Sequence, residues 1–200
     1  MSASAQHLRL AQLFAAAVLG EWDTVRALRR AAPAGEPDRA WRETVLQVHV
    51  FAGFPRGVET YGVLAEEGGL GELGPDERLA EPEHFARADA LFERIYADHA
   101  PRVRTLLHDA HPDFARWILG HAYGRVLTRP GLSAAQRELL AVVALAALGQ
   151  ERQLASHLRG AVRCGATPAD LSATLESVRT IIGPTRCDAA LALAARYATP

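Results

Sequence analysis

The stretch Gly131 to Gly165, GLSAAQRELLAVVALAALGQERQLASHLRGAVRCG, constrains this chain more than any other. Its centre, Leu139 to Leu148, is apolar at every position. A helix with no polar face must be buried on nearly all sides. Ser133 is a good N-cap, and Gln136 stands three residues on, as a capping box requires. Gly149 stops the helix. A second helix follows, with Leu154, Leu158, Ala161 and Val162 on one face. His157 lies among them and therefore points inward. Glu138 sits in the opening turns of the apolar helix. An inward histidine and a carboxylate at the mouth of an apolar helix pair are the most chemically suggestive residues of the chain.

Helical signals continue on both sides, and no convincing period-2 strand interrupts them, so the fold class is all-α. Helices are predicted over 5–19 and 21–32, then from Asp38 to Ala52. Gly53-Phe54-Pro55 ends the third, and Pro55 starts a fourth that reaches about Glu66. Residues 66–82 hold four glycines and two prolines and read as a solvated linker. Helices resume at 84–99 and 102–108, and from His111 onward, with Phe114, Trp117, Ile118 and His121 on one side. After the central pair, Thr167-Pro168 opens a helix that runs to Ile182, and Gly183-Pro184 introduces the last one, to about Tyr197.

Composition excludes several function classes. All 22 basic residues are arginine, so a lysine Schiff base, a P-loop lysine and a lysine general base are impossible. A net charge of −1 gives no electrostatic case for nucleic acid. No apolar run reaches 18 residues, so no membrane span is expected. Cys164 and Cys187 stand far apart, which argues against a disulfide framework and for a cytoplasmic protein. His108 and His111 lack the spacing of a metal motif, and no metal ligand set is assigned.

The two ends of the chain resemble each other at an offset of 129 residues. Leu19-Gly20 matches Leu148-Gly149, Pro55 matches Pro184, and Ala32, Leu46 and Leu64 match Ala161, Leu175 and Leu193. The expectation is a duplicated four-helix unit whose copies pack together. It divides the chain into an N-terminal repeat (1–66), a linker with connecting helices (67–110) and a C-terminal repeat (111–200). At the same offset Glu138 falls on Arg9 and His157 on Leu28, so the N-terminal copy lacks the polar pair.

The segment RPGLSAAQRELLAVVALAALGQERQLASHLRGAVRCGATPADL, Arg129 to Leu171, resembles the carboxymuconolactone decarboxylase family, in the alkylhydroperoxidase D-like superfamily. YGRVLT, Tyr123 to Thr128, fits it as well, and RETVLQVHVFAGFPRGVETYGVL, Arg42 to Leu64, fits more weakly. The resemblance implies an all-α homo-oligomer. Glu138 and His157 match the proton-relay glutamate and histidine of the superfamily's peroxidase branch. The peroxidase branch uses a CxxC whose second cysteine lies four residues before the histidine; here those positions are Gln150 and Gln153, which argues against a thiol peroxidase.

The resulting expectation is a cofactor-independent lyase or isomerase acting on a small carboxylated lactone or ring. His157 and Glu138 supply acid–base chemistry. Arg129 and Arg137 are assigned to the substrate carboxylates, and Tyr123 and His121 to the pocket wall. A surface ion pair is the alternative for the two arginines, and core packing for the aromatic residues. The alternative for the whole protein is a non-catalytic oligomeric scaffold with a decayed site; an alkylhydroperoxidase-like antioxidant role is a third.

Overall fold

The computed structural model describes residues 4–78 and 84–197, and every regular element among them is helical. The apolar run fixes the centre. Helix α7 (Ala134–Leu148) buries every residue from Arg137 to Ala147. Ser133 Oγ accepts the Gln136 amide while the Gln136 side chain accepts the Ser133 amide, and Gly149 closes the helix at φ 68°. Helix α8 (Glu151–Arg163) folds back on it as an αα-hairpin, burying Leu154, His157, Leu158, Gly160 and Ala161.

A second hairpin packs on the first. Helix α1 (Ala5–Leu19) lies on α7, and α2 (Trp22–Arg30) returns along it. The bounds of α1 and α7 fall at the same 129-residue offset, Ala5 to Ala134 and Leu19 to Leu148. So do the caps, Ser4 with Ser133 and left-handed Gly20 with left-handed Gly149.

The expected third and fourth helices are both present and run together across a sharp break as α3 (Asp38–Glu66). The kink is at Gly53 (φ 82°, ψ 163°), a conformation open to glycine because it has no Cβ. The glycine-rich stretch after α3 differs from the expected solvated linker. Leu70 and Glu77 are buried, and Pro75–Glu77 forms a 3₁₀ turn. The reason is electrostatic: Arg42 donates to the Leu70 carbonyl and grips the Glu77 carboxylate, Nε to Oε2 at 2.8 Å. That contact holds Glu77 well below the usual carboxylate range, at about 2.

Helices α4 (His84–Tyr96), α5 (Ala100–Ala110) and α6 (Pro112–Trp117) follow. The last continues as a ten-residue π-helix, Ile118–Leu127, rather than as a plain α-helix. Phe92, Ile95, Tyr123 and Leu127 make a second apolar cluster between α4 and this π-helix. The chain closes with α9 (Pro168–Ser177), α10 (Arg179–Ile182) and α11 (Pro184–Tyr197). The helix expected from Thr167 breaks at Val178. No helix among the described residues is long and apolar enough to cross a membrane.

Candidate functional site

The α7–α8 hairpin brings Glu138 and His157 together across 19 residues of sequence. Glu138 Oε2 lies 2.9 Å from His157 Nδ1. Glu138 is 1% exposed and His157 8%. Burial pulls the imidazole pKa down, but the charge of Glu138 and the hydrogen bond to it prevail, so the net direction is up. The contact also fixes roles within the ring. Nδ1 carries a proton for the carboxylate, and Nε2 takes no hydrogen bond from the described residues. Nε2 is therefore the atom free to act on another molecule.

The neighbours come from every side. Phe51, from α3, sets its ring edge-on to His157 at 6.2 Å. Gly160 faces Glu138 so closely that an added Cβ would stand 2.6 Å from Oε2 and 2.8 Å from Ile95 Cγ2. Two tyrosines complete the surroundings: Tyr123 donates its hydroxyl to Tyr96 at 3.0 Å. Burial raises both phenol pKa values, and the nearby Glu138 charge adds to the rise, so both remain neutral donors. Burial and Glu138 also push the Cys164 thiol up to about 12. It is a thiol, not a thiolate, at neutral pH and cannot replace the missing CxxC as a nucleophile.

The remaining expected site residues divide. Tyr123 is buried in the π-helix beside Tyr96. His121, in the same helix, turns to another partner: its Nε2 is 2.7 Å from His49 Nε2, and Phe54 stacks on His49. Arg129 and Arg137 converge on one carboxylate, Glu43 of α3. Arg129 Nη2 donates to Oε1 at 2.8 Å and Arg137 Nη2 to Oε2 at 2.7 Å. Glu43 is fully buried and Arg137 is 1% exposed. This ion triad lies inside the molecule rather than on its surface, and it occupies both forks that were expected to hold substrate. Gln47 locks it further by donating to the Arg137 carbonyl at 2.9 Å.

Sequence reasoning did not single out Glu43, Phe51, Tyr96 or Gly160. Only Gly160 left a signal, as a glycine placed where a helix former belongs. The others lie 42 to 114 positions away from Glu138 and His157 and are brought near only by the fold.

The fold is all-α, and its central hairpin clasps an inward histidine to a carboxylate. The carboxymuconolactone decarboxylase family's sequence profile matches residues 112–196. A 4-carboxymuconolactone decarboxylase from Acinetobacter baylyi is 34% identical over 96 residues, 48% of this chain and 69% of that protein. Peroxisomal protein 2 of Schizosaccharomyces pombe is 30% identical over 138 residues, covering 63% of this chain and 61% of the yeast protein. The chain belongs to the carboxymuconolactone decarboxylase family.

Proposed function

We propose that this protein is a lyase that removes carbon dioxide from a small carboxylated lactone, with His157 as the general acid. The observation that carries the reading is the buried Glu138–His157 contact with Nε2 left free. Loss of CO2 from a ring carboxylate leaves the bonding electron pair on the ring as a dienolate-like anion. That anion takes the proton from His157 Nε2, and the neutral imidazole then recovers a proton from solvent. One carboxylate and one proton yield one CO2 and the protonated lactone. Glu138 holds the tautomer and keeps the imidazolium populated near neutral pH. No step of this scheme needs a cofactor.

The arginines that hold Glu43 are assigned to structure in this reading, so another group must meet the substrate carboxylate. Tyr96, a neutral donor held against Tyr123 within reach of the Glu138 charge, is the residue we assign to it. The name of the Acinetobacter relative supplies the first substrate to try. Incubating 4-carboxymuconolactone with the protein should release CO2, and His157→Gln should abolish release while far-UV circular dichroism stays unchanged. Unchanged turnover in a folded His157→Gln protein overturns the proposal.

One observation favours a second reading, a non-catalytic scaffold. The pair is nearly sealed, and the large groove of the molecule does not include Glu138 or His157. Absence of turnover on carboxylated lactones, with intact assembly, would select it. The antioxidant reading has little support, since Gln150 and Gln153 carry no thiol and Cys164 is held protonated.

We further read the α1–α2 hairpin as a copy of α7–α8 that lacks the site, supported by the shared bounds and caps. We also propose a homo-oligomer. Phe54 and Val58 are 65% and 67% exposed, and Tyr61 follows on the same face of α3, an apolar stripe suited to a second copy. Both cysteines are free thiols, which suits a reducing compartment such as the cytoplasm.

A further inference from the structure

We infer that the groove between α5, α8 and α11 binds an organic polyphosphate, at a site separate from the Glu138–His157 pair. The groove encloses about 990 Å³. That is at the top of the range of roughly 300–1,000 Å³ for small-molecule sites, and larger than a single lactone ring needs.

Its charge is the argument. Many arginines elsewhere are matched to carboxylates, as in Arg26–Glu66, Arg30–Glu67 and Arg179–Glu176, and those that are not, such as Arg56, Arg94 and Arg186, do not gather in one concavity. Arg102, Arg152, Arg159, Arg163 and Arg196 all line the groove, and none pairs with a carboxylate of the described residues. Against these five guanidinium groups the lining carries two acids, Asp109 and Glu151. A chain with net charge −1 has thus gathered uncompensated positive charge in one concave place.

The amphipathic α8 explains how. Its inner face carries Leu154, His157, Leu158 and Ala161 into the core. Its outer face presents Arg152, Arg159 and Arg163 at spacings of seven and four, one row along the helix. Three of the five heads are already placed. Arg163 Nη1 donates to the Ile95 carbonyl at 2.7 Å. Arg159 and Arg196 stand over the Tyr197 ring at 5.0 and 5.1 Å. Pre-placed side chains lose less freedom when a ligand arrives.

The ligand class follows from the pattern. A single carboxylate satisfies one guanidinium fork, whereas consecutive phosphates offer several acceptor edges along a row. Val103, Leu106 and Leu193 supply an apolar wall beside that row, which an organic body would cover.

The test is calorimetric titration of the full chain with inorganic tripolyphosphate and with adenosine triphosphate at about 0.15 M salt, where unspecific surface attraction is largely screened. Both should bind, the nucleotide several-fold tighter because it also covers the wall. The double variant Arg159→Gln/Arg196→Gln should weaken both by about tenfold or more. Arg186→Gln, on α11 but outside the groove, should bind as the parent does. If the double variant does not fold, the exposed pair Arg102→Gln/Arg152→Gln carries the same expectation. Absence of binding at millimolar ligand overturns the inference, as does equal weakening by Arg186→Gln. Tripolyphosphate binding as tightly as the nucleotide overturns the organic part of it. His157→Gln should retain binding, so loss of turnover and loss of this site are distinguishable.

Discussion

At the scale of single residues, His157 and Glu138 control each other, and pH is the means of reading it. The imidazole pKa is raised above 6.5 in the folded protein, so the fold binds more protons than the unfolded chain just above that value. The stabilisation from the pair is fully present below about 6.5 and fades as pH rises through the folded pKa. Turnover that needs the imidazolium should fall over the same alkaline range. Glu138→Gln should move that limb to lower pH, because burial then acts without the opposing charge. A pH–rate profile of the variant beside the parent checks it, and an unmoved limb would remove Glu138 from the mechanism. His49 and His121 behave in the opposite sense. Burial lowers both, with repulsion from His121 adding at His49 and Arg125 adding at His121. The unfolded chain takes protons there that the fold resists, so stability should drop as pH falls below 6.5. Thermal melts from pH 7 to pH 5 should show that slope, and His121→Phe should flatten it.

At the scale of elements, much of the fold is legible and much of the site is not. Ser133, Gln136 and Gly149 announce α7 because caps act within one turn, where sequence distance and spatial distance agree. The inward turn of His157 follows from the apolar face around it. The π-helix has no comparable signal, and the packing of its Tyr123 and Leu127 with Phe92 and Ile95 of α4 joins residues far apart in sequence. Arg129 and Arg137 are recognisable as anion binders, but Glu43, which takes them, sits 86 and 94 positions away. Gly160 shows packing and electrostatics competing within α8. Alanine there would gain roughly 1 kcal/mol of helix propensity. The Cβ would press on Glu138 and Ile95, an overpacking cost of about 1–3 kcal/mol. Gly160→Ala should therefore alter stability little, or reduce it modestly, while displacing the carboxylate. NMR titration should find the His157 pKa lowered in that variant.

At the scale of the whole molecule, α3 carries both the proposed assembly face and the carboxylate of the buried ion triad. Its second half exposes Phe54 and Val58. Charged replacements there should shift the mass seen by light scattering to that of one chain, and an unchanged mass would place the proposed interface elsewhere. Its first half supplies Glu43, the counter-charge of the buried Arg137 on α7. Glu43→Ala should cost about 3–5 kcal/mol in denaturant unfolding, since it leaves a buried guanidinium without its partner. The family's sequence profile spans 112–196 and so omits Glu43. The triad thus works as a dovetail joint between the matched segment and the part of the chain that precedes it. Cutting at the edge of the match would strip Arg129 and Arg137 of their shared counter-charge and uncover the face of α7 on which α1 lies, so the region most recognisable by ancestry leans on a part of the chain that ancestry does not mark.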